Sequence, residues 1–364
     1  MRWTTLLPVI SIAAAAHADG AAVRLATTPQ REQVVLLLGK PPEAIVRESR
    51  TVSLPAGETS LVLGWAGTRL VADSVTLSAA DADTPITISG PVLLADRAQH
   101  AEWTITAPDA LEAELVLSYV MLELKWEPQY SIALTPDANT LALTAVAAVT
   151  NRSGEDFEDA RIDLGIGATL EADIKRDATL RVPYITATDV PCRLVHVYNS
   201  EASPDTQLRL ELLNDRDSGL GVAPLPPGKA RIFETVGGQE LLMGEVRLPH
   251  VPVGAALETN LGTAREVTVE RRVIGTRQID VKKDVHGRMA LWNQEDEVNL
   301  LIESRTETDV LLRITEKIAG EWRMQNNSHE FEQVDAEHIE FVVPVPAHGE
   351  LIVRYKVRRM NLTP

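Results

Sequence analysis

Two histidines, His329 and His338, stand nine residues apart with Glu330, Glu332 and Asp335 between them. Imidazoles and carboxylates make a transition-metal ligand set where the chain turns enough to bring them together. In extended chain such a spacing keeps them apart, so no metal is expected and the pair stands only as the weak alternative. Two acidic turns offer the oxygens that calcium favours: Glu155, Asp156, Glu158 and Asp159, and Asn214, Asp215 and Asp217. Neither supplies a closing Glu at the spacing of a helix-loop-helix site, and solvated surface turns are the plainer reading. Paired carboxylates for glycoside hydrolysis are conceivable in a chain with 52 Asp and Glu, yet no pair is marked by apolar neighbours that would raise a pKa. Cys192 is the only cysteine, so no internal disulfide forms, and it reads as a small buried apolar residue rather than a nucleophile. There is no Gly-x-Ser-x-Gly elbow and no glycine-rich loop that would cradle a phosphate. Catalytic residues are therefore unassigned, and no cofactor is expected.

The elements that would carry any site are strands. Arg161–Ile166 alternates polar and apolar residues. So do the runs through Val298, Leu300 and Ile302, through Val310, Leu312 and Ile314, and through Leu351, Val353, Tyr355 and Val357. Period two is the mark of a half-buried strand. Turn signals such as Pro55-Ala56-Gly57, Ser153-Gly154 and Ala347-His348-Gly349 separate the runs. Lys229–Val236 and Gln239–Val246 should form a hairpin, because Gly237-Gly238 supplies the positive φ angles of a two-residue turn. A second hairpin should pair Glu266–Lys282 with Arg288–Leu291 across His286-Gly287. Single helical turns are expected at Pro108–Ala113 and Asp335–His338, and an irregular stretch carrying Pro183, Pro191 and Pro204 up to Gly221. The fold class is all-β: tandem antiparallel, immunoglobulin-like β-sandwich units with little helix. The expected division is an N-terminal β domain over 19–110 and a larger β domain over 111–364, the latter with two sheet systems at 111–222 and 223–364.

Arg2, the apolar stretch Leu6–Ala16 and Ala16-His17-Ala18 have the layout of a signal peptide cleaved after Ala18. The expectation is a periplasmic or secreted protein with no transmembrane segment. Its 35 Lys and Arg against 52 Asp and Glu give a formal charge of −17. Such a surface repels phosphate backbones and anionic lipid head groups, so nucleic acid is not an expected partner.

Three blocks carry a resemblance: Trp126-Glu127-Pro128-Gln129-Tyr130, Asn151-Arg152-Ser153-Gly154-Glu155-Asp156-Phe157, and Gly219-Leu220-Gly221 leading to Leu225-Pro226-Pro227-Gly228-Lys229. With Gly320-Glu321-Trp322, Glu340-Phe341 and Val345-Pro346-Ala347, the stretch from Leu115 to Met360 resembles the domain of unknown function 4139 family, which includes mucoidy-inhibitor-like bacterial envelope proteins. The resemblance implies a mostly β fold and an envelope location. It implies no catalytic residues. The long coiled coil of the mucoidy-inhibitor type is absent, so any role tied to it does not carry over.

Each block also has a structural explanation. Trp126 and Tyr130 share a strand face, Gly154 permits a turn, and Pro226-Pro227-Gly228 enters a hairpin. The expected role is a non-enzymatic binding or assembly module for an envelope protein or glycan. The alternative is a carboxylate-dependent hydrolase of wall or capsular polysaccharide. Trp126, Tyr130, Glu155 and Asp156 form the candidate binding surface.

Overall fold

A computed structural model describes residues 23–24, 30–39, 43–93, 99–236 and 238–364. The signal-peptide expectation and Gly237 lie outside the described residues. Among those described, regular structure is almost wholly strand, with one 3-10 turn at Ala72–Ser74. In chain order the strands are β1 (Val23–Arg24), β2 (Gln33–Leu37), β3 (Ala44–Leu54), β4 (Gly57–Gly64), β5 (Thr76–Ala79), β6 (Thr87–Leu93), β7 (His100–Ala107) and β8 (Leu111–Met121). Then come β9 (Leu124–Leu134), β10 (Thr140–Asn151), β11 (Phe157–Asp163), β12 (Thr169–Ile174), β13 (Ala178–Asn199), β14 (Ser203–Leu213), β15 (Gly228–Val236) and β16 (Gln239–Leu248). The last are β17 (Ala256–Thr263), β18 (Val267–Lys283), β19 (Met289–Ser304), β20 (Val310–Lys317), β21 (Glu321–Asn327), β22 (Glu332–Gln333), β23 (His338–Val345) and β24 (Glu350–Leu362).

Two compact units result, and neither is contiguous in sequence. The first takes residues 1–129 and 144–186, the second 130–143 and 187–364. The expected boundary near residue 110 falls between β7 and β8, inside the first unit.

In the first unit, one sheet runs β1-β4-β7-β6 and another β12-β11-β2-β3-β8-β5. Alternation explains the core. Val34 and Leu36 of β2, Val46 of β3, Trp103 of β7, Leu117 of β8 and Ile162 of β11 all point inward and form one cluster. Pairing is antiparallel except for β1 with β4 and β11 with β2.

In the second unit, the sheet β18-β19-β24-β21 supplies Val269, Val298, Leu300, Val353 and Tyr355 to a core. Facing them are Tyr198 of β13, Leu312 and Ile314 of β20 and Phe341 of β23. β13 pairs antiparallel with β14 and parallel with β20, while β20 pairs antiparallel with β23 and β14 with β17. The fold is all-β and sandwich-like, as the period-two runs required.

Both expected hairpins form: Gly228–Leu248 with Gly238 at φ 79°, and β18–β19 with Gly287 at φ 78°. Both expected helical turns are absent. Leu111 already opens strand β8. At Asp335–His338 the Asp335 carboxylate accepts the backbone N–H groups of Glu337 and His338, each at 2.8 Å, which closes a side-chain turn in place of a helical one. Of the stretch expected to be irregular, residues 178–213 are instead the 22-residue strand β13 followed by β14, while 214–221 is irregular as expected. Asp189, at φ 56°, interrupts β13 two residues before Pro191, so the backbone irregularity is local and does not end the strand.

Candidate functional site

The family-like blocks resolve first into architecture. Trp126 is buried, with its ring edge-on to Tyr184 at 6.0 Å between centroids and 84° between planes. Tyr130, also buried, donates its hydroxyl to Pro226 O at 2.7 Å and so ties the first block to the third. The candidate surface thus loses its two aromatic rings to the interior.

Glu155 and Asp156 go separate ways. Glu155 pairs with Arg31, whose guanidinium also pairs with the buried Glu48 and lies 5.6 Å from the Phe157 ring centroid. Arg50 closes the cluster on Glu48 at 2.9 Å. Burial pushes the Glu155 carboxyl up despite Arg31. Burial also works against the Arg31 charge, but Glu48 and Glu155 more than offset it and hold the guanidinium charged. Asp156 faces Arg176 instead. Burial opposes its charge, yet the Arg176 N–H at 2.7 Å and the guanidinium hold the carboxyl below its usual range. Asn151, fully buried, organises the turn by donating to Glu155 O at 2.8 Å and accepting from Ser153 Oγ at 2.7 Å.

The histidines do not converge either. His329 Nδ1 meets its neighbour Ser328 Oγ at 2.8 Å. His338 sits between Asp335 and Glu201, 2.9 Å from each. Among the described residues no cluster of His, Cys, Asp and Glu has the arrangement to hold a metal ion. Burial pushes the Cys192 thiol up to about 11. In the second acidic turn, Asn214 is a scaffold: it is fully buried and donates to the carbonyls of Ala223, Val251 and Pro252 at 3.2–3.3 Å.

Among the described residues there is also a recess that no sequence block marks. On the outer face of the second unit's β13–β14–β17–β20–β23 sheet lies a cleft of about 390 Å³. Strand alternation builds it. Tyr198, Leu312, Ile314 and Phe341 turn inward. Their neighbours Val197 and Asn199, Arg313 and Thr315, and Glu340 turn into the cleft, joined by Gln207 and Arg209 of β14 and Asn260 of β17. The cross-strand register sets Arg313 beside Val197, Thr315 beside Glu340 and Arg209 beside Asn260.

A chain of alternating charge crosses this face. Arg313 Nε lies 3.5 Å from Glu340 Oε1, and its Nη1 lies 2.9 Å from Glu211 Oε1, though without hydrogen-bond alignment. Arg193 reaches the other Glu211 oxygen at 3.1 Å, and Arg209 pairs with Glu258 at 3.1 Å. Burial pushes the Glu340 carboxyl up, against the pull of Arg313. The cleft therefore sets guanidinium donors, carboxylate acceptors and amide groups around a mostly apolar lining. Such a lining can take a polar ligand through several directed hydrogen bonds.

No local pattern in the sequence marks Arg209, Glu211, Asn260, Arg313 or Glu340 as a site residue. They sit on four strands between residues 209 and 340, and only the register brings them together. One signal does exist for the buried charges. Glu48 lies at the inward parity of Ala44 and Val46, and Glu316 at that of Leu312 and Ile314, where a charge demands a partner.

No curated protein matches the chain in sequence. A family model described as domain of unknown function (DUF4139) matches residues 115–357, which hold all three blocks and every residue of the cleft, and the chain belongs to that family.

Proposed function

We propose that the protein is a non-enzymatic binding module of the bacterial envelope, periplasmic or secreted, and that the cleft on its second unit takes a glycan. The observation that carries the reading is the cleft lining: Arg209, Arg313, Glu340, Asn260 and Gln207 offer donors and acceptors in fixed positions from four paired strands. Polyhydroxylated ligands are recognised by such bidentate planar groups. The leader-like N-terminus and the resemblance to envelope proteins support the location.

The test is titration of the purified protein with solubilised wall fragments and with neutral and acidic capsular oligosaccharides, followed by amide NMR shifts. Shifts confined to β13, β14, β17, β20 and β23, and lost in Arg313→Ala, are expected. Binding that survives Arg313→Ala and Asn260→Ala unchanged places the ligand elsewhere and ends this assignment.

The alternative, hydrolysis of polysaccharide by two carboxylates, rests on Glu340, whose carboxyl is pushed up by burial against the pull of Arg313. The second carboxylate lining the cleft is Asp205, whereas Glu211 lies outside the lining and shares the Arg313 guanidinium with Glu340. Reducing-end release from the same oligosaccharides, abolished in Glu340→Gln, would favour hydrolysis over binding.

A further inference from the structure

One end of the cleft is formed by the tight turn Ser200–Ala202 between β13 and β14, flanked by the cleft residues Asn199 and Ser203. Two backbone bonds shape it: Ser200 N–H to Thr315 O at 3.1 Å and Ala202 N–H to Asn199 O at 3.2 Å. Its outer side is held by Glu201, whose carboxylate receives Lys317 Nζ at 2.7 Å and His338 Nε2 at 2.9 Å. His338 Nδ1 lies 2.9 Å from Asp335. A neutral imidazole carries a single N–H, so it can donate to one carboxylate only and turns a lone pair toward the other. Carboxylates at both ring nitrogens therefore call for the imidazolium.

We infer that His338 is a proton-dependent latch that fixes the rim of the cleft: protonated, it clamps the Ser200–Ala202 turn to β23; neutral, it releases it. This rests on the reading of the cleft as the binding site. The charged groups around the ring are Glu201 from the turn, Lys317 from β20, and Asp335 and Glu337 from the turn before β23. Glu332 of β22 lies opposite Glu340, two residues along β23 from the ring. Acidic groups dominate this ring of neighbours. In keeping with that, hydrogen bonds to Glu201 and then Asp335 raise the His338 pKa above its ordinary 6.5. The His338 contact, then Lys317, lowers the Glu201 carboxyl, and the Glu337 backbone N–H, then His338, lowers that of Asp335.

The sign follows from linkage. The His338 contribution is fully present below pH 6.5 and is lost as pH rises through its raised folded value. Both carboxyls are lowered from their ordinary values and so are ionised in mildly acidic medium, where the latch is closed. It opens on the alkaline side, where the Glu201 carboxylate keeps Lys317 and loses the His338 donor.

Two measurements on the full chain, with no ligand present, test the latch. Imidazole NMR gives the folded pKa of His338. Hydrogen exchange, corrected for intrinsic rates, gives the protection of the Ser200 and Ala202 amides across the same pH range. Protection should fall as pH rises, by about tenfold for each unit by which the measured pKa exceeds 6.5. In His338→Gln, and in Glu201→Gln as a second variant, protection should be low and independent of pH. An ordinary pKa for His338 overturns the inference. So does a raised pKa with flat protection of both amides. A separate arm titrates solubilised wall fragments at pH 6 and pH 8.5. Tighter binding at pH 6 in the native chain, equalised in His338→Gln, is expected, and equal binding at both pH values in the native chain removes the gating. Absence of binding at either pH bears on the cleft reading and leaves the two ligand-free measurements to decide the latch.

Discussion

At the scale of single residues, the interior of this protein is notable for charges held in pairs. Glu316 is fully buried. One of its oxygens accepts Arg271 Nε at 2.8 Å and Tyr355 OH at 2.6 Å, and the other has no hydrogen-bond partner. Burial, then the Glu316 charge, pushes the Tyr355 hydroxyl up. Removing Arg271 leaves the buried Glu316 uncompensated. Arg271 itself is 34% exposed and solvent screens the pair, so Arg271→Met should cost less than the roughly 3–5 kcal/mol of a fully buried pair in urea unfolding. The double change Arg271→Met, Glu316→Met should recover most of that loss, since apolar groups of like volume need no partner. If the single variant unfolds at the native midpoint, the pair does not bear on stability. Cys192 yields a second prediction. With its thiol at about 11, alkylation at pH 8 should be far slower than for an exposed cysteine and should speed up steeply toward pH 11. Equal rates at pH 8 for the native and unfolded chains would contradict it.

At the scale of elements, the turns matter more than the strands. Gly154 has φ 88°, and a Cβ built there would lie 2.2 Å from Gly67 O. The Ser153-Gly154 turn needs both the left-handed backbone and the bare α-carbon, because Arg69 N–H also bonds Ser153 O at 2.8 Å. The backbone conformation alone makes Gly154→Ala cost about 1–3 kcal/mol, and the displaced Gly67 segment adds to it. Thermal melting checks this, and an unchanged midpoint would show that the loop shifts freely. The sequence marks this turn correctly as punctuation. It does not reveal that Glu155, one residue on, turns inward to Arg31, because Arg31 lies 124 residues away in the chain.

At the scale of the whole molecule, the units are interleaved along the chain. The first needs residues before 129 and residues 144–186. The fragment 111–364 would therefore retain β8 and β11 while removing β3 and β2, their antiparallel and parallel partners. It should express as an aggregating or uncooperatively melting chain, in contrast to the sharper transition expected of the full protein. A sharp, reversible transition in the fragment would show that the second unit and its added strands suffice. Stability should also weaken at both ends of the pH range. Arg358 and then Lys356 hold Glu295 at about 2, so its contribution is present above the ordinary 4.5 and lost as pH falls toward 2. The His338 contribution is lost on the alkaline side. A melting temperature flat from pH 2 to pH 5 would contradict the first assignment.

The sequence by itself determined the class of fold, because period two and its turn residues are local properties of the backbone. It located the β15–β16 and β18–β19 hairpins through Gly237-Gly238 and His286-Gly287, where positive φ is a requirement of the turn. It also marked the family blocks, whose prolines and glycines are structural. Only the tertiary structure decided the cleft. Arg209, Asn260, Arg313 and Glu340 look like ordinary polar residues of alternating strands until the register brings them together on one face. Register is a long-range quantity: a shift of one residue would turn each of these side chains inward, and only the packing of Tyr198, Leu312, Ile314 and Phe341 beneath them forbids it.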